Sequence, residues 1–138
     1  PLAMAAAEGH AFTVIFAFVG MQIALGAILL RRGSARISDM EGVSRAMPLT
    51  AMLLLIAGLA AAGAPLFASY TTITIALEAM AQWELQWAWI MVAAVPGAVF
   101  AAVCLRPALA AFYGVAQRVP FSEAPFPILL GAALAVFF

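Results

Sequence analysis

The stretch PLTAMLLLIAGLAAAGAPLFASYTTITIALEAMAQ, residues 48–82, decides how this chain folds. As one α-helix its 35 residues would extend for about 52 Å, well beyond the roughly 30 Å hydrocarbon core of a bilayer. The break is expected at Gly63-Ala64-Pro65, because proline removes a backbone donor and clashes with the preceding turn. The stretch therefore predicts two short helices, 48–63 and 66–82. Pro48 suits the first turn of the first helix, where an N–H has no helical partner.

The composition of the chain is that of a membrane protein. Of its 138 residues, 67% are hydrophobic and 9% are charged, and the mean hydropathy is +1.14. Soluble domains carry about 25% charged residues. Six arginines balance six acidic residues, and no basic arm or aromatic-basic pattern indicates a nucleic-acid partner. The single cysteine, Cys104, lies in an apolar run and is predicted to be a packed hydrophobe.

The other apolar segments complete an all-α integral membrane fold in a single membrane domain, residues 1–138. The predicted helices are 11–30, 48–63, 66–82, 89–112 and 125–138, and 31–47 is predicted to be a polar loop. This makes about five transmembrane helices, with one pair joined by the Gly-Ala-Pro break. The last helix is truncated: at about 20 Å it is shorter than the hydrocarbon core. We expect either a longer polypeptide or partner subunits to complete it.

Aromatic and charged residues indicate how the chain sits in the membrane. Three tryptophans between the third and fourth segments, Trp83, Trp87 and Trp89, indicate a membrane-water interface. The arginines of the loop, with Arg106 and Arg118, are predicted to lie on one side, and Glu78 and Glu84 on the other. The positive-inside tendency makes the arginine side cytoplasmic. We expect an integral protein of a bacterial inner membrane.

Five arginines are candidates for anchoring the chain or for contacting a partner or lipid headgroups. They are Arg31, Arg32, Arg36, Arg45 and Arg106. The alternative for the loop arginines is plain solvation, and for Arg106 it is packing near the interface, since an arginine facing lipid at mid-depth is costly. Lipid is the expected ligand class, and no intrinsic cofactor is predicted.

Tyr70, Thr74 and Glu78 form a polar stripe, because residues four apart share one face of a helix. Hydroxyls and a carboxylate at this spacing are candidates for a proton path. The alternative is structural: threonines 71, 72 and 74 donate to carbonyls one turn earlier, and Glu78 reaches the interface. The residues alone leave both interpretations open.

His10 is the only histidine, so ligation of one metal by two histidines within the chain is excluded and no metal site is predicted. Three roles remain open for it. It is a candidate member of the proton path, a less favoured axial ligand for a chlorin pigment, or an interfacial histidine without a special role.

Four motifs in order resemble the large antiporter-like subunits shared by respiratory complex I and the Mrp-type cation/proton antiporters. They are HAFTVIFAF at 10–18, DMEGVSRAMPLT at 39–50, AGAPLFASYTTITI at 62–75 and CLRPALAAFYG at 104–114. In the last motif Arg106, Phe112 and Gly114 stand at the offsets of the family signature. The resemblance covers about residues 10–114 and corresponds to the last third of such a subunit.

The resemblance implies a subunit that moves protons through half-channels built on lysine, glutamate and histidine. It places Thr72 at the family's serine and Ile73 at the lysine or glutamate that carries protons. It also places Val14 at the lysine that follows the family's histidine, and this chain has no lysine anywhere. Ile73 and Val14 are therefore degenerate carrier positions.

Two functions follow as hypotheses. The first is a membrane subunit, or the C-terminal portion of one, of a complex I-like or Mrp-like proton- or cation-translocating assembly, acting as a scaffold without a complete half-channel. The alternative is a degenerate relative that serves as a structural or accessory subunit of another respiratory or photosynthetic membrane complex. In either case the partners are other membrane subunits and lipids. As an enzyme the chain is at most a non-redox subunit of a translocase such as NADH-quinone oxidoreductase.

Overall fold

A computed structural model describes residues 2–34, 36–81, 86–113 and 122–137, and every regular element within these ranges is helical. The elements are α1 (Leu2–Arg32), a 3₁₀ turn (Ile37–Met40), α2 (Val43–Ala46), α3 (Pro48–Ala61), α4 (Ala68–Met80), α5 (Gln86–Phe112) and α6 (Phe126–Phe137). Four residues that entered the sequence predictions, Trp83, Glu84, Gly114 and Arg118, lie outside the described ranges, and so does the side chain of Trp89.

The first helix begins well before residue 11, where the sequence predicted it to start. It opens at Leu2, so Glu8 and His10 lie inside α1. The reason is the alanine-rich start AMAAAEG, since alanine is the strongest helix former. The predicted polar loop 31–47 contains the 3₁₀ turn and α2.

The helix α1 is the central element, with α3, α4 and α6 packed against it and α5 packed against α3. Near its C-terminal end, Arg31 bonds Glu123, whose carboxylate holds the first turn of α3. Nearer its N-terminal end, His10 bonds Thr72 of α4. The helices α3 and α4 therefore follow each other along α1, both antiparallel to it.

The break between α3 and α4 is built by local backbone geometry. Gly63 has a φ of +73°, and the two hydrogen bonds around it, from Gly63 N to Ala60 O at 3.2 Å and from Ala64 N to Leu59 O at 3.0 Å, form a Schellman cap. Glycine takes this left-handed conformation without the steric cost that a Cβ brings. Pro65 follows two residues later and cannot continue the helix.

Small residues set the closest helix approaches. A Cβ built on Gly58 of α3 would lie 3.1 Å from the carbonyl oxygen of Cys104 in α5, and one on Gly20 of α1 would lie 2.6 Å from Cγ2 of Val136 in α6. The buried core is accordingly rich in alanine, with Ile28 and Leu54 among its few large side chains. Apolar helices in lipid associate through such close backbone packing.

Within the described part of the chain, two helices are long and apolar enough to cross a bilayer on their own. They are Met4–Arg32 and Ile90–Phe112, with mean hydropathies of 2.3 and 1.8. The second runs through Pro96 and Pro107. The apolar helices Pro48–Ala61 and Phe126–Phe137 are shorter. At about 20 Å each, they fall short of the hydrocarbon thickness.

Candidate functional site

A hydrogen bond between α1 and α4 forms the centre of the candidate site. His10 Nδ1 lies 3.1 Å from Thr72 Oγ1, and the Thr72 hydroxyl donates to the carbonyl of Ser69 at 2.9 Å. With its proton directed at Ser69, the hydroxyl accepts from His10 in the tautomer that carries a proton on Nδ1. Gly9 leaves room for the approach, since a Cβ there would lie in a tight contact of 3.3 Å with the Thr72 methyl.

The polar contacts around His10 all end on backbone carbonyls. Ser69, which is buried, donates its hydroxyl to the carbonyl of Ala60 across the helix break. Thr13 donates to the carbonyl of His10 at 3.0 Å. A carbonyl oxygen accepts hydrogen bonds but has no proton to pass on. Among these described contacts, each path from His10 therefore stops at the backbone.

The predicted stripe of Tyr70, Thr74 and Glu78 does not meet His10. Thr72 is two residues from both Tyr70 and Thr74, which places it about 200° away around the helix, on the opposite face. Tyr70 is 43% exposed and Glu78 is also exposed. Thr74 donates to the carbonyl of Thr71 at 2.8 Å. The structure thus divides the candidate proton path between two faces of α4.

Ile73, at the position of the carrier that the resemblance implies, closes the inner side of the helix break. A Cβ built on Gly63 would lie 2.6 Å from Cδ1 of Ile73, so the tip of the isoleucine rests against the glycine backbone. Val14, the second degenerate position, is half-buried on α1, one turn after His10. Both side chains are apolar and neither carries a proton at any pH.

A cavity of about 160 Å³ lies beside the break. Its polar lining comes from Thr13 and Ser69, and its apolar lining comes from Phe16, Ala60, Leu66, Phe67, Ala68, Val136 and Phe137. Both hydroxyls donate to backbone carbonyls. The described residues contain no group of three His, Cys, Asp or Glu side chains able to hold a metal ion.

A second polar cluster, which the sequence predictions missed, holds the start of α3. Glu123 accepts hydrogen bonds from the backbone N–H of Leu49 at 2.9 Å and of Thr50 at 3.3 Å, and also from the Thr50 hydroxyl. Met47, the residue that precedes the helix, supplies no side-chain cap. Glu123 therefore caps α3 from 73 residues away in sequence.

The electrostatics of this cluster favour the ionised carboxylate. Burial by itself raises the pKa of Glu123, but the hydrogen bonds from Thr50, Leu49 and Ala124 outweigh it and leave the pKa below its usual value. The partial positive charge of a helix N-terminus acts in the same direction. The sequence signal that could have suggested a distant cap was negative: a helix opening on Pro48 with an apolar residue before it.

Four of the five predicted anchoring arginines, Arg31, Arg32, Arg36 and Arg45, lie at the end of α1 or in the connection from α1 to α3, and Arg106 lies farther along α5, two residues after the contact of Cys104 with Gly58. Arg31 donates to the Glu123 carbonyl at 3.2 Å, and Arg32 donates to the Glu41 carbonyl at 3.5 Å. The other three, Arg36, Arg45 and Arg106, are exposed. A cavity of about 210 Å³ adjoins Arg31 between α1 and the start of α6.

These features define an integral membrane domain made of helices and built around a broken helix. The chain belongs to the family described as NADH:quinone oxidoreductase/Mrp antiporter, TM, whose model matches residues 2–101. This confirms the predicted resemblance. Three of its four motifs fall inside the match, and 104–114 falls outside it. Members of the family are subunits of multi-subunit membrane complexes. Comparisons with curated proteins and with solved structures found no match.

Proposed function

We propose that this chain serves as a membrane scaffold in a complex I-like or Mrp-like proton- or cation-translocating assembly and lacks a complete half-channel of its own. The observation that carries the proposal is the placement of Ile73. At the helix break, where the resemblance implies a titrating carrier, an apolar side chain rests on Gly63. A buried charge in a membrane is costly and is retained where function needs it. Its replacement by isoleucine removes both the cost and the carrier.

The hydrogen bonds around the break support the same proposal. A proton wire needs members that both accept and donate, as hydroxyls and imidazoles do. Here the hydroxyls of Thr72, Ser69 and Thr13 each donate to a carbonyl. In this arrangement they join α1, α3 and α4 and cap the break. Their role in the scaffold is to satisfy backbone groups that lipid cannot.

We further propose that α3 and α4 are the two halves of one broken membrane span. They contain 14 and 13 residues and run in the same direction along α1, giving together about 40 Å of helix. The end of α4 then lies on the side opposite the arginines, and α5 returns to the arginine side. This arrangement replaces two separate spans by one.

Proton flux into liposomes tests the scaffold proposal. The purified chain is reconstituted into liposomes that enclose a pH-sensitive dye, and a potassium gradient with valinomycin drives proton entry. The expected rate equals that of empty liposomes, while a protonophore added afterwards shows that the vesicles are sealed. Flux above the empty-liposome rate that Glu78→Gln abolishes would overturn the proposal.

A second function is favoured by one observation, the exposed polar face of α4. Tyr70 and Glu78 face away from α1, so a neighbouring subunit that lays a polar surface against them would complete a path that the isolated chain lacks. The discriminating measurement is proton transport by the whole assembly in native membrane vesicles. Glu78→Gln leaves that transport unchanged if the chain is a scaffold, and it lowers transport if the shared path operates.

A further inference from the structure

The groove between α1 and α6 has the lining of a lipid site. We call it the α1–α6 groove; its lining residues are Ala27, Leu30, Arg31, Pro125 and Ile128. Four of the five are apolar and the fifth is a guanidinium at the C-terminal end of α1. Leu30 is 76% exposed, so the groove opens outward, to the surface that lipid covers in a membrane domain.

The guanidinium at the groove is held in place with donors to spare. One terminal nitrogen of the Arg31 guanidinium donates to the carbonyl of Glu123 at 3.2 Å. The carboxylate of the same residue is turned to the first turn of α3, and it forms no ion pair with Arg31. A guanidinium has five N–H donors, and no further bond from Arg31 to a described residue is formed. The remaining donors suit a phosphate, which arginine binds in bidentate fashion.

The surrounding charge favours an anion. Among the described residues at the end of the bundle where α3 begins, four arginines (31, 32, 36 and 45) stand against three carboxylates (39, 41 and 123), a net charge of +1. The carboxylate of Asp39 accepts from Ser34, and that of Glu123 faces α3. The two described carboxylates elsewhere, Glu8 and Glu78, lie toward the opposite end.

The size of the groove indicates how much of a ligand it encloses. Its volume is about 210 Å³, and pockets that enclose a whole small molecule hold roughly 300 Å³ or more. It therefore fits part of a molecule whose remainder lies along the surface. A phospholipid meets this condition: its phosphate lies at Arg31, and the first acyl carbons lie against Leu30 and Ile128.

We propose that the α1–α6 groove binds an anionic phospholipid, with the phosphate on Arg31 and the start of one acyl chain against Leu30 and Ile128. The site lies at the membrane end where α1, the cap of α3 and the start of α6 meet. Glu123 already contacts Arg31 of α1 and the first turn of α3 at this point. A bound lipid would therefore add a third contact there. The proposal depends on the membrane location of the chain and is independent of whether the chain conducts protons.

Lipid titration of the intact protein in detergent, followed by native mass spectrometry, tests this site. The probes are dioleoylphosphatidylglycerol, the zwitterionic dioleoylphosphatidylcholine, and inorganic phosphate as a competitor. We expect the phosphatidylglycerol to bind at least about tenfold more tightly than the phosphatidylcholine, because only the first carries a net negative charge and each nearby basic residue is worth about 1 kcal/mol toward an anionic lipid. Millimolar phosphate should displace little of it, because phosphate lacks the acyl contact.

Arg31→Gln and Arg36→Gln form a matched pair of variants. Each removes one positive charge, but Arg36 is exposed on the loop and does not line the groove. Loss of one arginine from a diffuse basic surface weakens anionic-lipid binding by about fivefold. We expect no more than that for Arg36→Gln and at least about tenfold for Arg31→Gln, which also loses the hydrogen bonds.

Three results would overturn the lipid site. They are equal weakening by the two variants, equal binding of the two lipids by the unmodified protein, and full displacement by phosphate, which would mark a site for free anions. Arg31→Lys covers the case in which Arg31→Gln fails to fold. This variant keeps the charge and loses the bidentate geometry. We therefore expect it to bind the anionic lipid more weakly than the unmodified protein does. Binding unchanged in Arg31→Lys would refute the bidentate phosphate contact, and with it the site.

Discussion

The long-range cap on α3 makes a prediction that can be worked through quantitatively. In Glu123→Ala, two backbone N–H groups and one hydroxyl at the start of α3 lose their acceptor. A helix N-cap is worth about 0.5–2 kcal/mol, and a hydrogen bond to a charged group about 1.5–3 kcal/mol. Because Glu123 is only half-buried, water replaces part of the hydrogen bonding that the substitution removes. We expect the free energy of unfolding to fall by about 2 kcal/mol.

Two further substitutions separate the charge from the hydrogen bonds. Glu123→Gln keeps one carboxamide oxygen as acceptor and loses the charge, so about 1 kcal/mol should be lost. Glu41→Gln is the matched control, because Glu41 is an exposed carboxylate at the same end of the chain. Its side chain is not an acceptor in the cap, and the expected change is within about 0.5 kcal/mol.

The assay is reversible unfolding in mixed detergent micelles, followed by the helical circular dichroism signal. A double-mutant cycle of Glu123→Ala with Thr50→Val should give a coupling energy of about 1 kcal/mol, since each substitution removes one partner of the Thr50–Glu123 hydrogen bond. Amide exchange at Leu49 and Thr50 reports the cap directly and should accelerate in Glu123→Ala. If Glu123→Gln and Glu41→Gln change stability equally, or the cycle shows no coupling, the cap contributes nothing.

Three more predictions concern acidity, helix approach and the histidine contact. The pKa of Glu123 is lower in the folded than in the unfolded chain, so the stabilisation it provides is present above the unfolded pKa near 4.3. That stabilisation is lost as the pH falls through the lower folded pKa. The unmodified protein should therefore lose more stability between pH 7 and pH 3 than Glu123→Gln does. Gly58→Ala should lower the free energy of unfolding by about 1–3 kcal/mol, because its Cβ would press on the α5 backbone. Gly97→Ala, where a Cβ would meet nothing within 4 Å, should be neutral or stabilising. Equal effects of the two substitutions would contradict the close approach. Thr72→Val removes the acceptor of the histidine and should cost about 1 kcal/mol in the same unfolding assay, while the exposed Thr71→Val should cost little; similar losses would show that the α1–α4 bond is not stabilising.

The helix break illustrates what local sequence can predict. Gly63 supplies a left-handed conformation that other residues adopt at a cost, and Pro65 cannot continue a helix. Both properties belong to single residues and their immediate neighbours. The start of α3 at Pro48 follows from the same kind of rule. Predictions of this kind need no knowledge of what lies across the fold.

The start of α1 shows how a local prediction can fail. Hydropathy placed it near residue 11, but the preceding alanines extend the helix to Leu2. Helix propensity and hydropathy are separate properties, and hydropathy alone does not mark where a helix begins. The consequence reaches the site: His10 lies within the helix, one face of which packs on α4.

The candidate site was predicted only in part, because residues that share a helix face need not share a partner. The spacing of Tyr70, Thr74 and Glu78 correctly defines a stripe, but spacing does not say which face of α4 packs on α1. The answer depends on Gly9 and Thr72, where two helices from distant parts of the chain approach.

By itself, the sequence determined the membrane environment, the helical class and the position of the break, because composition, propensity and backbone conformation act within a few residues of the chain. The tertiary structure alone decided three things: that α3 and α4 run in line along α1, that Ile73 rests on Gly63, and that Glu123 caps a helix 73 residues away. Each of these is a contact between segments brought together by packing. No local property of either segment specifies its partner, and so the contact of Ile73 with Gly63 at the break could be identified only once the helices were in place.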